Sequence, residues 1–158
     1  MATPEFEQLQ DLKRRFAYMF QTPRLGLDFY RGWLPDFIRA CEQIDAVLGD
    51  DKRGFRFTQT KEKYGSARYY FSTNAATPIR LSLTDGQGLR ELTMGLKDEH
   101  DIEKQIAAIL HEAEKKSLHK CMLCGAPGEI SRFGGWLACA CKAHSLDKSG
   151  NVLRDAVV

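Results

Sequence analysis

The sequence lacks the features that mark several large protein classes. Apolar residues are scattered through the 158-residue chain, and no run approaches the ~20 residues that a helix needs to cross a bilayer. Residues 1–15 are acidic and amphipathic without an apolar centre, so we expect no signal peptide. The 23 basic residues nearly balance the 21 acidic ones, which indicates no global attraction to nucleic acid or to an anionic membrane. We therefore expect a cytoplasmic protein without a membrane partner.

The periodicity of the apolar residues predicts an α+β body. Residues 4–20 and 33–48 repeat their apolar positions with the period of amphipathic helices, and so do residues 101–117. Alternation with period two predicts strands at 55–60 and 67–72, joined by a turn at 64–66. Weaker alternation predicts a third strand at 79–84, and residues 89–94 either return as a fourth strand, which we favour, or begin a helix. We expect helices packed on a small antiparallel sheet, with residues 1–118 as the body and 119–158 as a metal-binding segment packed directly on it.

Cysteine and histidine cluster near the C-terminus. Four of the five cysteines lie between residues 121 and 141, and an odd total in a chain with no expected export signal argues against a disulfide framework. Cys121 and Cys124 form a C-x2-C pair, and Cys141 and His144 form a C-x2-H pair. Each pair places two ligands on one tight turn, and a hairpin between the pairs would bring them together. The pattern predicts a structural Zn2+ site in a treble-clef-like finger, whose second pair opens a short helix.

Two neighbours of the site leave alternatives open. Cys139 could replace Cys141 as a ligand, although only Cys141 forms the C-x2-H turn. His119 could also stand in as a ligand. The zinc-hydrolase pattern H-E-x-x-H fails at His111, because the second histidine is missing, and the deaminase pattern fails there too.

The segment around the 64–66 turn combines basic and aromatic residues. Three basic residues lie beside three tyrosines in this stretch: Lys61, Lys63 and Arg68 beside Tyr64, Tyr69 and Tyr70. Basic groups among aromatic rings can hold a phosphate backbone and stack bases. The simpler interpretation is that these residues form the solvent-exposed face of a sheet whose other face is buried. We keep five of them as a possible partner- or nucleic-acid-binding surface: Lys61, Lys63, Tyr64, Arg68 and Tyr70.

Two motifs resemble those of a small protein family that is found in bacteria and their phages. The run KEKYGSARYYF is similar to the family's KEKFGGLRFYF hairpin, and the finger C-x2-C-G-x-P-G, G-G-W and C-x2-H is similar to the family's terminal finger. Gly32 and Trp33 match the start of an upstream helix, so the similarity spans about residues 32–145. This chain departs from the family's pattern in three places. Ser66-Ala67 replaces the usual Gly-Leu of the hairpin, residues 79–98 look like additional material before the last helix, and Cys139 is unusual at its position. The resemblance implies the fold and the zinc ligands, and no established activity.

Three functions follow as candidates. The first is a non-catalytic, zinc-stabilised module that binds another protein, of the immunity or inhibitor type that the family's occurrence in phages suggests. The second is a nucleic-acid-binding regulator that uses the basic-aromatic hairpin and the finger. The third is an enzyme with an unrecognised site, for which Cys139 is the only thiol left once the metal ligands are assigned.

Overall fold

The computed structural model describes residues 3–74, 79–85, 88–94 and 97–145, with side chains described for 3–74 and 101–145. The helices are α1 (Pro4–Arg15), α2 (Leu34–Leu48) and α3 (Lys97–Ser117), with short 3₁₀ turns at Ala17–Phe20 and Arg31–Trp33. The strands are β1 (Leu27–Asp28), β2 (Arg56–Lys63), β3 (Ser66–Ser72), β4 (Ile79–Asp85), β5 (Gly88–Met94), β6 (Glu129–Phe133) and β7 (Trp136–Ala140). The predicted α+β class is confirmed.

The first predicted helix is too long. The α-helix ends at Arg15 because Phe16 leaves the helical region, with φ −124° and ψ 49°, and a 3₁₀ turn follows. The apolar stripe continues through the 3₁₀ turn to Met19, which is buried, but its first member, Phe6, is exposed. Apolar spacing therefore predicted most of the buried face correctly and the helix end incorrectly.

The sheet also differs from the prediction. β2 pairs with β3 in antiparallel fashion, as expected, but β1 pairs with β2 in parallel, so this sheet is mixed. β4 and β5 form a separate antiparallel ladder among the described residues. A two-residue strand such as β1 carries no alternation to read, which explains why the sequence did not predict it.

Aromatic rings fill the centre of the body. Phe37 on α2 stacks on Tyr69 of β3 at 5.0 Å between centroids, and it contacts Phe57 of β2 at 5.2 Å and Phe29 at 4.9 Å. α3 packs on α2 and on β3. The β2–β3 hairpin is thereby fixed on the helices by its inner face.

The β2–β3 hairpin turns at Tyr64 and Gly65. Both residues have positive φ, 54° and 81°, as a two-residue type I′ turn requires. Gly65 lies against the backbone of Ala138 in β7, since a Cβ at Gly65 would approach Ala138 to 3.4 Å. The turn of the body hairpin therefore contacts the hairpin of the C-terminal segment.

Candidate metal centre

Four side chains from the two predicted pairs come together. The ligand atoms of Cys121, Cys124, Cys141 and His144 all lie within 4.8 Å of one another. The Sγ atoms of Cys124 and Cys141 are 3.8 Å apart, and Nδ1 of His144 lies 3.4 Å from Sγ of Cys121 and 3.2 Å from Sγ of Cys141. These four side chains could bind one metal ion.

The distances suit a tetrahedral ion. With Zn–S bonds of about 2.3 Å and Zn–N bonds of about 2.0–2.1 Å, tetrahedral geometry separates two sulfurs by about 3.8 Å and a sulfur from a nitrogen by about 3.6 Å. The separation of the Cys124 and Cys141 sulfurs equals the first value, and the contacts of His144 are a few tenths of an ångström shorter than the second. These three separations are compatible with one tetrahedral metal ion.

Two backbone turns place the ligands. In the first, the amide of Gly125 donates to the carbonyl of Cys121 at 2.9 Å, and Gly125 takes a positive φ of 74°. In the second, the amides of His144 and Ser145 donate to the carbonyl of Cys141 at 3.0 and 2.9 Å. Residues 142–145 form a turn, and the predicted short helix beyond them lies outside the described residues.

The β6–β7 hairpin joins these two turns. Its strands pair in antiparallel register from Glu129↔Ala140 to Phe133↔Trp136. The amide of Met122 donates to the carbonyl of Cys139 at 2.9 Å, which holds the first turn beside the end of β7. Two ligand pairs that are distant in sequence are therefore adjacent in space.

The electrostatics of the site favour a thiolate at Cys141. Hydrogen bonding from the backbone amide of His144 is the largest cause that lowers the pKa of Cys141, to about 6. Burial instead raises the pKa of Cys124. Since a metal binds the thiolate, Cys141 is already in the ligand form at neutral pH.

Cys139 lies outside the cluster. Its thiol is buried and donates to the carbonyl of Leu118 at 3.3 Å, and burial raises its pKa to about 11. Cys139 belongs to β7, which ends at Ala140, whereas Cys141 lies beyond the strand in the turn that carries His144. A buried, protonated thiol is a poor ligand and a poor nucleophile at neutral pH.

The other histidines do not join the cluster in the described residues. His119 is exposed at the end of α3. His111 is a surface residue, and its Nδ1 lies 3.8 Å from the carboxylate of Glu114. The side chain of His100 lies outside the described residues.

Hydrogen bonds and an ion pair attach the metal segment to the body. The amide of Gly32 donates to the carbonyl of Met122 at 2.8 Å, and the indole of Trp33 donates to the carbonyl of Lys120 at 3.0 Å. Arg31 Nε donates to the carbonyl of Leu123 at 2.8 Å. These three consecutive residues precede α2, so the first turn of the metal site is docked on the start of that helix.

The ion pair is partly buried. The ammonium of Lys120 contacts the carboxylate of Asp36, whose side chain is only 4% exposed. The sequence offered no signal for this pair, because the two residues are far apart and neither belongs to a recognisable motif.

The basic-aromatic hairpin residues also lie together. Nζ of Lys61 lies 5.1 Å from the ring centroid of Tyr70, and Nζ of Lys63 lies 5.2 Å from that of Tyr64. Arg68 approaches the carboxylate of Glu114 at 3.9 Å. Glu114 comes from α3, and its presence beside the hairpin could not be read from the local sequence.

A scan against protein-family models, a search of curated proteins and a search of solved structures each found no match to this chain. The family resemblance drawn from the two motifs therefore stays a prediction. Within the described part of the chain, no helix is both long and apolar enough to span a membrane.

Proposed function

We propose that Cys121, Cys124, Cys141 and His144 bind one zinc ion in a treble-clef-like finger. The observation that carries the proposal is the mutual distance of the four ligand atoms, all within 4.8 Å. Three thiolates and one imidazole are a donor set that selects zinc over the hard cations calcium and magnesium.

The proposed role of the ion is structural. Four protein ligands complete a tetrahedral shell and leave no position for an activated water, unlike catalytic zinc sites with three protein ligands. The ion would also stabilise the fold of the segment. Its two ligand turns are joined by a two-stranded hairpin, and such a hairpin is only marginally stable on its own.

We further propose that the protein is a non-catalytic module that binds another protein. The zinc-held hairpin presents two partly exposed apolar side chains, Ile130 and Trp136, each 38% exposed. Tryptophan is enriched among the residues that dominate the energy of protein interfaces. An immunity or inhibitor role is the form of this proposal that the motif resemblance suggests.

The environment of Cys139 argues against the alternative that the protein is an enzyme with this cysteine as its nucleophile. The thiol is inside the protein and protonated at neutral pH, whereas a nucleophilic cysteine needs access and thiolate character.

Metal analysis of two cysteine variants tests the zinc proposal. Cys124→Ser should lose stoichiometric zinc, because it removes one of the four ligands. Cys139→Ser is the matched control and should retain one zinc per chain, since Cys139 lies outside the cluster. Loss of zinc from Cys139→Ser with retention in Cys124→Ser would refute the ligand assignment.

Co-purification tests the protein-binding proposal. The zinc-loaded chain should form a stoichiometric complex with the product of an adjacent gene, and the complex should survive moderate salt. Trp136→Ser should weaken it, whereas Phe6→Ser, which changes an exposed aromatic residue on α1, should not. If Trp136→Ser leaves the complex unchanged, the interface does not include Trp136 and lies elsewhere.

A further inference from the structure

We propose that the outer face of the β2–β3 hairpin, formed by Lys61, Lys63, Tyr64, Arg68 and Tyr70, binds single-stranded nucleic acid. This ligand goes beyond the protein partner proposed above, and the two proposals do not depend on each other.

The strand register places the cations and Tyr70 on one face. Lys61 pairs with Arg68 across the strands, and Gln59 pairs with Tyr70; side chains of directly opposed residues share a face of the sheet. Lys61 and Lys63 are two residues apart on β2, which separates them by about 6.6 Å along the strand. The charges therefore form a row along the strand.

Four of the five proposed binding residues, all except Lys61, border an open cleft. A space of about 440 Å³ is lined by Lys63, Tyr64, Arg68, Tyr70 and Glu114. The cleft thus has two tyrosine rings and two basic groups, which can hold a base and a phosphate together, beside one carboxylate, that of Glu114.

Tyr64 is placed where it does little for the fold. Its φ of 54° is positive, and type I′ turns favour asparagine or glycine at that position. Its side chain is 66% exposed, so little of it is buried. Neither backbone preference nor burial accounts for a tyrosine here, and its ring is open to a ligand.

Each exposed ring has a cation beside it. The ammonium groups of Lys63 and Lys61 lie 5.2 Å and 5.1 Å from the ring centroids of Tyr64 and Tyr70. Tyr70 is still 44% exposed. A nucleotide can offer its base to the ring and its phosphate to the ammonium, whereas an acidic peptide uses only the cations.

The nearby carboxylates are already engaged. Glu62 accepts a hydrogen bond from the amide of Gly65 at 2.7 Å. Glu114 accepts one from the amide of Tyr69 at 2.9 Å and lies 3.9 Å from Arg68. Among the residues whose side chains are described, neither Lys61 nor Lys63 forms an ion pair with a carboxylate, including that of Asp28, the register partner of Lys61. The ammonium groups of Lys61 and Lys63 therefore remain available to a phosphate.

Fluorescence anisotropy of labelled oligonucleotides tests the proposal on the full, zinc-loaded chain. Single-stranded DNA and RNA of about 12 nucleotides, within the usual site size, are compared with a duplex and with poly-L-glutamate. We expect the single strands to bind more tightly than the duplex, since only unpaired bases can stack on the rings. The apparent affinity should fall with salt with a log–log slope of about −2, because Lys61, Lys63 and Arg68 would each neutralise one phosphate and each such contact contributes about −0.7. The DNA and RNA arms show which strand is preferred.

Tyr64→Asn separates binding from folding. Asparagine suits the positive φ at this turn position, so the variant should be at least as stable as the wild type while binding roughly tenfold more weakly through loss of base stacking. Lys63→Gln should reduce the magnitude of the salt slope by about 0.7. Phe6→Ser and Lys104→Gln change an exposed aromatic residue and an exposed lysine elsewhere, and should leave binding unchanged.

Two results would overturn the proposal. One is no oligonucleotide binding at low salt. The other is equal binding of poly-L-glutamate together with no effect of Tyr64→Asn, which would assign the face to an acidic protein surface. Neither result bears on zinc content, so the zinc proposal is tested separately.

Discussion

Side-chain environment divides the five cysteines into two groups. Cys41 and Cys139 are buried among apolar neighbours, and burial raises both of their pKa values. The other three cysteines meet His144 in one cluster. The sequence could predict this division, because each ligand pair lies on a single turn whose geometry depends on local spacing. The C-x2-H spacing likewise indicated Cys141 and not Cys139, and Cys139 belongs to β7, outside the turn that carries Cys141 and His144.

Asp45 provides a pH-dependent contribution at the scale of a single residue. Its carboxylate accepts hydrogen bonds from Lys52 and Tyr18, both at 2.7 Å. The hydrogen bond from Lys52 is the largest cause that lowers the pKa of Asp45. Because the folded-state pKa is below the unfolded value, the ion pair stabilises the fold above the ordinary carboxyl pKa of ~3.9. That stabilisation is lost as the pH falls through the lower, folded-state pKa.

We therefore expect Asp45→Asn to lower the free energy of unfolding at pH 7 by less than about 1 kcal/mol, since the pair is partly exposed. The difference from wild type should shrink towards zero in acid. Urea unfolding at several pH values measures it, with the exposed Asp50→Asn as control. A difference that does not change with pH would show that the charge of Asp45 is not its cause.

At the scale of elements, helix α3 protects the outer edge of the sheet. β3 has a neighbour on one side only, and an unpaired edge strand is a site for unwanted pairing. The hydroxyl of Ser117 accepts from the amide of Ala67 at 2.9 Å, and Glu114 accepts from the amide of Tyr69 at 2.9 Å. Side chains of α3 thus take the place of a further strand.

Ser117→Ala tests this edge protection. Ala67 is fully buried, so its amide would lose its partner without gaining water. We expect the free energy of unfolding to fall by about 1–3 kcal/mol and the Ala67 amide to exchange faster with solvent. Ser131→Ala, an exposed change on β6, should have little effect. An unchanged stability with a protected Ala67 amide would contradict the assignment.

Sequence patterns predicted most elements and missed their long-range relations. α2, the hairpin strands and the β4–β5 pair were predicted because periodicity is local. The parallel pairing of β1 and the contacts of α3 with the β3 edge depend on which distant segments meet, and no local pattern records that. The end of α1 at Arg15, where the next residue leaves the helical region, is likewise not recorded in the apolar spacing.

At the scale of the whole molecule, Gly32 fixes how the metal segment meets the body. A Cβ at Gly32 would lie 2.1 Å from the carbonyl oxygen of Cys121 and 2.7 Å from the amide nitrogen of Gly125. Both are backbone atoms of the first ligand turn, so neither can rotate aside. The sequence showed a glycine before Trp33 but could not show what approaches it.

Gly32→Ala should therefore destabilise the zinc-loaded protein by at least about 1–3 kcal/mol, the usual cost of overpacking. In the control Gly26→Ala, the nearest atom is the carboxylate oxygen of Asp28 at 2.9 Å, the far end of a flexible side chain. That variant should be close to wild type. Chemical denaturation of both variants measures the difference, and equal stability of the two would show that the segment does not dock at Gly32.

The visible spectrum of the cobalt-substituted protein, with the metal content measured in parallel, tests the central claim most directly. The account predicts one ion per chain, the absorption of a tetrahedral site with three thiolates and one imidazole, and no spectral change when azide is added, because the shell is closed. Substoichiometric metal, or a spectrum that shifts with azide and so reveals an open coordination position, would contradict it.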